Sequence, residues 1–408
     1  MGPYGAAIVG AGASGLAAAI TAARSGVRVL LLEAAEKPGR RLLATGNGRC
    51  NLSNLHISIQ NYHGDSSLAA PLLEAWPGQR IRDWFQELGL LTRADGQGRL
   101  YPCSLQAAAV LRALLSACQH FGVDILCGFS VAEIRRAADG FQLTAQDGRQ
   151  VQAERCLLAG GGAASPKLSD GSGYGLAQSL GHTLTRLSPS LVGLRTPGRI
   201  TRSLKGLRCR ARAALCQGSR ELAAESGEVI FGNGSVSGIC VMNLSARLRG
   251  LPVGHISLRL DLAEEMTSAQ LKAYLEDARE RFPARPAWEL FDGLLNLRVG
   301  QELAKSLGWP HERGIGALSS SELAQAVKLL KGFSLPVEGP LGWENAQCTA
   351  GGIPLNQVEI PTLQSRRTPG LYLSGELLDL DGDCGGFNLH WAWVTGITAG
   401  GALAGGKS

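Results

Sequence analysis

The feature that most constrains the fold lies in the first 33 residues. The short apolar stretch 6–9 leads into the turn Gly10-Ala-Gly-Ala-Ser-Gly15, an alanine-rich stretch over 16–25 follows, and a second apolar stretch over 27–32 ends at Glu33. This order predicts a strand, a helix and a second strand, the βαβ unit that binds dinucleotides.

Each residue type in this turn has a physical role. Gly10 permits the tight turn, Gly12 allows a pyrophosphate to approach the backbone, and Gly15 allows the helix to pack closely on the strand. The turn, which includes Ala13 and Ser14, directs free N–H groups and the positive helix end at the phosphates. Glu33 can accept hydrogen bonds from both ribose hydroxyls and would repel a 2′-phosphate. These residues alone fit either FAD or NAD.

The composition favours a globular α/β protein of two or three domains. The chain has 408 residues, 45% hydrophobic and 18% charged, with 55 glycines. Its formal charge of +6 is spread along the chain, and the densest basic stretch, 199–212, has no interleaved aromatic residues. That pattern is typical of a solvated strand face, so nucleic-acid binding is not expected.

The cysteines and the N-terminus indicate a reduced, cytoplasmic protein. The ten cysteines form no Cys-x-x-Cys pair and no Cys/His ligand spacing, so neither a metal site nor a dithiol centre is predicted. The N-terminus lacks a basic region ahead of its apolar stretch, and no apolar stretch is long enough to span a membrane. Oligomeric state cannot be inferred from the sequence.

The remaining glycine-rich turns favour a flavoprotein. No second G-x-G-x-x-G follows a strand, so a separate nicotinamide domain is not expected. The apolar stretch 151–159 runs into Gly160-Gly161-Gly162, a turn that commonly returns the chain to the cofactor domain in flavoproteins. Residues 369–375 form another short apolar stretch that ends at Glu376, whose carboxylate can bind a ribityl hydroxyl.

Two longer motifs carry a family resemblance. Arg40-Arg-Leu-Leu-Ala-Thr-Gly-Asn-Gly-Arg-Cys-Asn-Leu-Ser-Asn54 and Gly375-Glu-Leu-Leu-Asp-Leu-Asp-Gly-Asp-Cys-Gly-Gly-Phe-Asn388 closely resemble the bacterial BaiN-like, or aminoacetone-oxidase-like (HI0933-like), flavoproteins. Shorter agreement comes from 98–104, 158–161 and 349–352. The resemblance runs nearly end to end but is faint between about 195 and 345.

The resemblance implies bound FAD and a discontinuous Rossmann-like domain. We assign this domain to residues 1–194 and 346–408, with an inserted β-rich substrate domain over 195–265 and an inserted helical subdomain over 266–345. Patterning supports the layout, because 199–262 contains alternating apolar and polar stretches whereas helical spacing begins after Thr267. Ser268 is the predicted N-cap of the first helix, and Ser319-Ser-Ser-Glu322 predicts a capping box.

The predicted cofactor-binding residues lie in the turns and motifs already described. They are Gly10, Gly12, Ala13, Ser14, Gly15, Glu33, Arg40, Arg41, Gly46, Asn47, Gly48, Arg49, Cys50, Asn51, Ala159, Gly160, Gly161, Gly375, Glu376, Asp381, Gly386, Phe387 and Asn388.

Several of these assignments leave alternatives open. Arg49 could neutralise phosphate and Asn51 could bond the ring or ribityl chain. Arg40 and Arg41 either reach the pyrophosphate or are surface charges. Asp381 contacts the cofactor by family likeness, or is a solvated turn residue.

Further candidates concern the flavin ring. The glycines before the predicted helix 389–403 could direct its first N–H groups at the N1–C2=O edge of the ring and stabilise the reduced flavin. His390 and Cys50 are the catalytic candidates. His390 stands where the family more often has glutamine, so its imidazole either acts as acid or base or only forms hydrogen bonds like the amide it replaces. Cys50 and Cys384 are either reactive thiols or small buried residues.

The sequence therefore predicts an FAD-dependent oxidoreductase that acts on an unidentified small molecule, with dioxygen or an unsaturated molecule as acceptor. NAD(P)H is a candidate transient electron donor. The alternatives are an RNA-modifying flavoprotein and a non-enzymatic flavin-binding protein. The family's Phe-Thr-x-x-Gly-x-Ser-Gly-Pro stretch is only partly matched by residues 231–240, so the family's substrate cannot be carried over.

Overall fold

The computed structural model describes residues 4–405, which form two units. The first joins the N-terminal segment up to Pro189 to the C-terminal segment from Ala346, and we call it the two-segment unit. The second, the inserted unit, spans Ser190–Asn345.

Within residues 4–405 the α-helices are α1 (Ala13–Arg24), α2 (Arg40–Ala44), α3 (Ser66–Ala75), α4 (Gly78–Glu87), α5 (Ala107–His120), α6 (Ser172–Ser179), α7 (Arg199–Ser203), α8 (Ile239–Ala246), α9 (Ser268–Arg281), α10 (Leu297–Ser306), α11 (Ser320–Lys331) and α12 (Phe387–Leu403). None of them is both long and apolar enough to cross a membrane.

The strands of the same residues are β1 (Tyr4–Val9), β2 (Val29–Leu32), β3 (Ser53–Asn54), β4 (Tyr62–Gly64), β5 (Thr92–Ala94), β6 (Arg99–Pro102), β7 (Asp124–Leu126), β8 (Val131–Ala137), β9 (Gly140–Ala145), β10 (Gln150–Leu158), β11 (Ser188–Ser190), β12 (Leu194–Arg195), β13 (Arg208–Gln217), β14 (Arg220–Phe231), β15 (Ser235–Ser237), β16 (Ile256–Asp261), β17 (Phe333–Pro336), β18 (Gly339–Pro340), β19 (Cys348–Ala350), β20 (Val358–Glu359), β21 (Gln364–Ser365), β22 (Leu371–Leu373) and β23 (Leu380–Gly382).

The main sheet of the two-segment unit has the order β20-β21-β22-β10-β1-β2-β7. The strands from β22 to β7 in this order are parallel, and the β8–β9 hairpin adds to β10 in antiparallel pairing. Because β22 comes from the C-terminal segment and β1 from the N-terminal one, both ends of the chain build one sheet. Strand β2 and residues 6–8 of β1 are almost fully buried, as is typical of a parallel sheet covered on both faces.

Helices α1 and α12 pack against each other at a very short distance. A Cβ added at Gly396 would lie 2.3 Å from the Ser14 carbonyl oxygen, and one at Gly400 would lie 2.5 Å from that of Ala18. Glycine is therefore required at both positions, since any side chain would push the helices apart. This contact fixes α12 over the N-terminal turn of α1.

The inserted unit is built on one antiparallel sheet with the order β17-β16-β13-β14-β15-β12-β18. Its hydrophobic core combines strand residues such as Leu258 with helix residues such as Leu271 and Leu323. The helices of 266–345 thus share the core of the sheet rather than forming a helical subdomain, because β17 and β18 return to that sheet after α11.

The helix starts in this unit test two of the predicted caps. The N-cap of α9 is Thr267 rather than Ser268, and Gln270 completes a capping box with it. The predicted capping box between Ser319 and Glu322 at the start of α11 is confirmed.

Candidate functional site

A cavity of about 460 Å³ lies at the carboxyl ends of the parallel strands in the two-segment unit. Its walls include Val9 at the end of β1, Leu32 at the end of β2, Ala159 after β10 and Glu376 after β22. Cofactors of open α/β sheets bind at this edge. The fold therefore creates the cavity where the first sequence motif predicts a dinucleotide.

The glycine turn shapes one wall of the cavity. Gly10 has a φ of +107°, and a Cβ there would lie 2.5 Å from the Ala159 carbonyl oxygen. A Cβ at Gly15 would lie 1.8 Å from the Gly10 carbonyl oxygen, so both positions require glycine for packing. Gly12, by contrast, has an ordinary φ of −86°, and its missing Cβ would meet nothing within 4 Å. Because Gly12 lines the cavity, that free space is a cradle against the start of α1 that a pyrophosphate can fill.

Glu33 has the arrangement that ribose binding requires. Its two carboxylate oxygens accept hydrogen bonds from the Ala11 and Ala35 N–H groups, each at 2.9 Å. A carboxylate has about four acceptor positions, so each oxygen retains one for a ribose hydroxyl. The backbone bonds fix the carboxylate at the cavity wall.

The structure divides the predicted cofactor residues into two groups. The cavity is lined by Gly10, Gly12, Ala13, Ser14, Glu33, Arg40, Arg41, Ala159, Gly160, Gly161, Glu376 and Asn388. The residues that do not line it are Gly15, Gly46, Asn47, Gly48, Arg49, Cys50, Asn51, Gly375, Asp381, Gly386 and Phe387.

Arg41 and Glu376 bind each other on the cavity wall. The Arg41 Nη1 lies 2.8 Å from Glu376 Oε2, and Nη2 donates to Oε1 at 3.0 Å and to the Gln347 carbonyl at 3.1 Å. Their side chains are 22% and 19% exposed. Arg41 is therefore neither a free surface charge nor an isolated phosphate ligand, and Glu376 is already an ion-pair acceptor.

Neighbouring backbone is organised around this pair. Glu376 Oε1 also accepts the Thr349 N–H at 2.7 Å, and the Thr349 hydroxyl accepts the N–H groups of Ala163 and Ala164 at 2.9 and 3.1 Å. A Cβ at Gly162 would lie 2.5 Å from Glu376 Oε1, so the turn after β10 passes directly over the pair. The pair thus connects three separate segments beside the cavity.

Arg40 lies on the same wall but has a different environment. It is exposed, and its Nη2 donates only to the Lys167 carbonyl at 3.2 Å among the described contacts. Lys167 also lines the cavity. The side chains of Arg40 and Lys167 are thus both available to an anionic group of a ligand.

The loop from Gly46 to Asn51 lies outside the cavity and has a structural role. Gly46 to Arg49 are exposed, whereas the Asn51 amide accepts the Gly386 N–H at 3.1 Å and donates to the Ser53 carbonyl at 3.0 Å. The Gly386 N–H at the start of α12 is therefore hydrogen-bonded to Asn51 and is not available to a ligand.

The other residues of the C-terminal motif are also engaged. The Asn388 amide bonds both the N–H and the carbonyl of Gly382, and the buried Phe387 packs edge-on against Tyr62. Gly375 donates its N–H to the Thr395 hydroxyl at 2.9 Å, and Asp381 is 1% exposed, so it is not a solvated turn residue.

Neither catalytic candidate lines the cavity. Cys50 is fully buried, and burial raises the pKa of its thiol to about 12, so it stays protonated at neutral pH. His390 is also fully buried, its Nδ1 lies 2.8 Å from the Ser53 hydroxyl, and burial lowers its pKa from 6.5 to about 3. Both side chains are therefore neutral and lie outside the cavity lining, so the structure gives no support to the predicted catalytic roles.

The neutral His390 predicts a pH dependence of stability. Below pH 6.5 the unfolded chain binds a proton on this imidazole and the folded chain does not. The contribution of His390 to the free energy of unfolding is therefore complete above pH 6.5 and is lost as the pH falls towards 3. At pH 5 the loss is about 2 kcal/mol. Urea unfolding at pH 8 and pH 5 measures it, and in His390→Gln the difference between the two pH values should shrink by that amount. An unchanged difference would show that His390 is protonated in the folded state.

The structure adds cavity residues that the motifs do not contain. They include Phe129, Ser130 and Val131, the segment 166–170, Gln347, Cys348 and Trp391. The first three follow β7, which pairs with β2 in parallel, so their position at the ligand-binding edge follows from strand order. That order was not evident from the sequence.

Comparison with known proteins places this geometry in a family. The model of the HI0933-like protein Rossmann domain matches residues 4–402. A 3-dehydro-bile acid delta(4,6)-reductase of Clostridium scindens is 38% identical over 97% of this chain and 98% of its own length. A ribosomal RNA dihydrouridine synthase of Escherichia coli is 27% identical over 96% and 95%.

Solved structures share the fold. A 3-ketosteroid-delta4-(5alpha)-dehydrogenase from Rhodococcus jostii superposes with a TM-score of 0.52 at 16% identity, covering 98% of this chain and 97% of that one. A 3-ketosteroid delta1-dehydrogenase from Sterolibacterium denitrificans gives a TM-score of 0.51 at 15% identity, with both chains fully covered.

The predicted resemblance, the Rossmann-like fold and the oxidoreductase class are confirmed by these matches. The Gly12 cradle and the Glu33 carboxylate fit the pyrophosphate and ribose of FAD. Because the matched relative is an oxidoreductase, the alternative of a non-enzymatic flavin-binding protein is set aside. The chain belongs to the HI0933-like protein Rossmann domain family and is an FAD-dependent oxidoreductase.

Proposed function

We propose that this protein uses FAD to reduce a carbon–carbon double bond conjugated with a carbonyl group in a small molecule. The observation that carries the proposal is the end-to-end similarity to the Clostridium scindens reductase, at 38% identity. The name of that relative describes a ketone with reducible double bonds along the same ring system. Such a bond is electron-poor and accepts hydride at the carbon beyond the one next to the carbonyl.

The second relative supports the same reaction type. Dihydrouridine differs from uridine by two hydrogens added across a ring double bond that is conjugated with a carbonyl. A common reaction therefore accounts for two relatives whose substrates differ greatly in size. The two relatives therefore support one reaction type, the reduction of a conjugated double bond.

The residues that would hold FAD follow from the cavity. Gly12 and the first N–H groups of α1 would bind the pyrophosphate, and the remaining acceptor positions of Glu33 would bind the ribose. Arg40 and Lys167 would supply positive charge at the same wall. Bound FAD supplies the hydride chemistry. Because His390 and Cys50 are buried and neutral, the proton must come from another group or from water.

The inserted unit argues for a small substrate rather than RNA. Its densest basic strand is β13, in which Arg208, Arg210 and Arg212 each lie within hydrogen-bond distance of a glutamate: Glu228, Glu264 and Glu221 respectively. Each pair offsets part of the positive charge along the strand, whereas an extended nucleic-acid backbone is bound through many unneutralised cations. Strand β13 does not present such a row of unneutralised cations.

Electrons are proposed to come from NADH or NADPH that docks transiently. The chain has a single G-x-G-x-x-G turn, and FAD would occupy its cavity. A nicotinamide donor would therefore bind only for the transfer and then leave.

The test uses purified protein loaded with FAD under anaerobic conditions. We expect NADH or NADPH to bleach the flavin absorbance, and a conjugated 3-ketosteroid to restore it with formation of the saturated ketone. Reoxidation by dioxygen alone, with no consumption of any conjugated ketone, would instead indicate an oxidase. A saturated 3-ketosteroid is the matched control, because it has the same shape but no acceptor bond.

A further inference from the structure

The inserted unit contains a second cavity, of about 550 Å³, whose lining residues are mainly positively charged or apolar. Arg212 of β13 and Arg259 of β16 line it from the sheet, and Lys328 and Lys331 line it from the last turns of α11. Asp261 is the acidic residue among its lining residues. Four cations therefore converge on one concave surface.

The nearby carboxylates neutralise only part of this charge. Glu221 is shared, since its oxygens lie 2.5 Å from Arg212 Nη2 and 3.2 Å from Arg259 Nη2. Asp261 lies 2.6 Å from the Lys331 Nζ, which also donates to two backbone carbonyls. Among residues 4–405, two carboxylates thus pair with three of the four cations.

Lys328 carries the clearest surplus charge. It is exposed, lines the cavity and has no acidic partner within residues 4–405. The Arg212 and Arg259 side chains are 42% and 40% exposed, so their remaining N–H groups are accessible. Ser268 also lines the cavity, and a serine hydroxyl is a neutral donor.

The alternation of side chains along the strands explains why the two arginines face the same way. In β13 the buried Ala211 and Ala213 flank Arg212, and in β16 the buried Leu258 and Leu260 flank Arg259. Because side chains alternate along a strand, both arginines project from the face opposite the core. Cross-strand pairing of Arg212 with Asp261 brings the two strands into register at the cavity.

We propose that this cavity binds the phosphate group of a small phosphorylated molecule. Arginine presents a planar fork of donors that matches phosphate oxygens, and a dianionic phosphate balances two unneutralised cations. A concave wall of one sign concentrates the field, which distinguishes this site from cations scattered on a flat surface. The proposal concerns the inserted unit alone and does not depend on the reaction proposed above.

The test is calorimetry on the FAD-loaded full-length protein with inorganic pyrophosphate as the probe. We expect saturable binding that Lys328→Glu weakens by about tenfold or more, since a repulsive charge replaces an attractive one. The matched control is Lys205→Glu, an exposed lysine of the same unit outside the cavity, which should change the affinity by less than about twofold. Equal melting temperatures for the two variants would show that folding is unaffected.

Competition identifies the source of the phosphate. Displacement of pyrophosphate by NADPH but not by NADH would assign the site to the 2′-phosphate of the donor, and no displacement by either would assign it to another phosphate ester. An absence of saturable binding overturns the proposal. Equal weakening by Lys328→Glu and Lys205→Glu also overturns it, because that result describes a general surface charge.

Discussion

Replacing Gly12 by valine is expected to leave the fold intact and to lower the affinity for FAD by at least about 100-fold, which corresponds to about 2.7 kcal/mol. The backbone of Gly12 has a φ of −86°, which valine adopts readily, and the added Cβ would meet no protein atom within 4 Å. The side chain would instead fill the cradle where we place the pyrophosphate. Loss of the close approach to the α1 N-terminus then removes the strongest phosphate contacts.

Fluorescence titration of the FAD-free protein with FAD gives the affinity, and circular dichroism checks the fold. Gly175→Val is the matched control, because Gly175 is an exposed glycine of α6 whose Cβ would also meet nothing within 4 Å and which does not line the cavity. It should bind FAD within about twofold of the natural protein. Tight FAD binding by Gly12→Val would mean that the pyrophosphate lies elsewhere.

Gly15 provides the opposite case in the same turn. Its Cβ would lie 1.8 Å from the Gly10 carbonyl oxygen, so even alanine there would distort the packing of α1 on β1. Substitution of Gly15 therefore affects folding, whereas substitution of Gly12 affects binding. Two glycines of one motif thus have separable roles, and the separation follows from the atoms around each missing Cβ.

The parts of the site that could be predicted from the sequence are those set by local geometry. The turn from Gly10 to Gly15 and the acid at Glu33 lie within one βαβ unit, so their spacing fixes their positions relative to each other. The C-terminal strand before Glu376 also reaches the cavity edge, since β22 pairs with β10 in parallel. Periodicity and turn residues were sufficient at these positions.

The chemistry of long-range partners could not be predicted. Arg41 and Glu376 are 335 residues apart, and nothing in the sequence indicates that they bind each other. Their ion pair exists because α2 and the turn after β22 converge on one wall, which depends on the complete sheet order.

His390 illustrates a different limit. Its helix α12 is apolar along its length, and a helix that is apolar on every side is buried on every side. That pattern predicts a desolvated imidazole, yet the position beside the glycine turn suggested a reactive one. Burial determined the outcome, because an unpaired charge inside the helix packing would cost several kcal/mol.

Replacing Glu376 by alanine is expected to destabilise the protein by about 3 kcal/mol. The Arg41 side chain is 22% exposed in the intact pair. The substitution leaves its guanidinium without the carboxylate at 2.8 Å and deprives the Thr349 N–H of its acceptor. Removing one partner of a largely buried pair costs more than the pair itself contributes, since a charge is left without compensation.

Urea unfolding at a fixed FAD concentration measures the effect, because bound cofactor adds its own stabilisation. Glu87→Ala is the control, since Glu87 pairs with Arg24 at the same 2.8 Å distance but both side chains are more than half exposed. That variant should lose less than about 1 kcal/mol. A comparable loss in both variants would show that the Arg41–Glu376 pair is solvated in solution.

The double variant Arg41→Met, Glu376→Leu separates the ion pair from the space it occupies. Apolar residues of similar volume remove both charges together, so we expect the free energy of unfolding to lie within about 1 kcal/mol of that of the natural protein. The Thr349 N–H, which loses its acceptor, adds a separate cost. Its FAD affinity then measures what the pair contributes to the cavity. Recovered stability with weakened FAD binding would assign the pair to cofactor positioning, whereas recovery of both would make it a structural link between α2, β19 and the turn after β22.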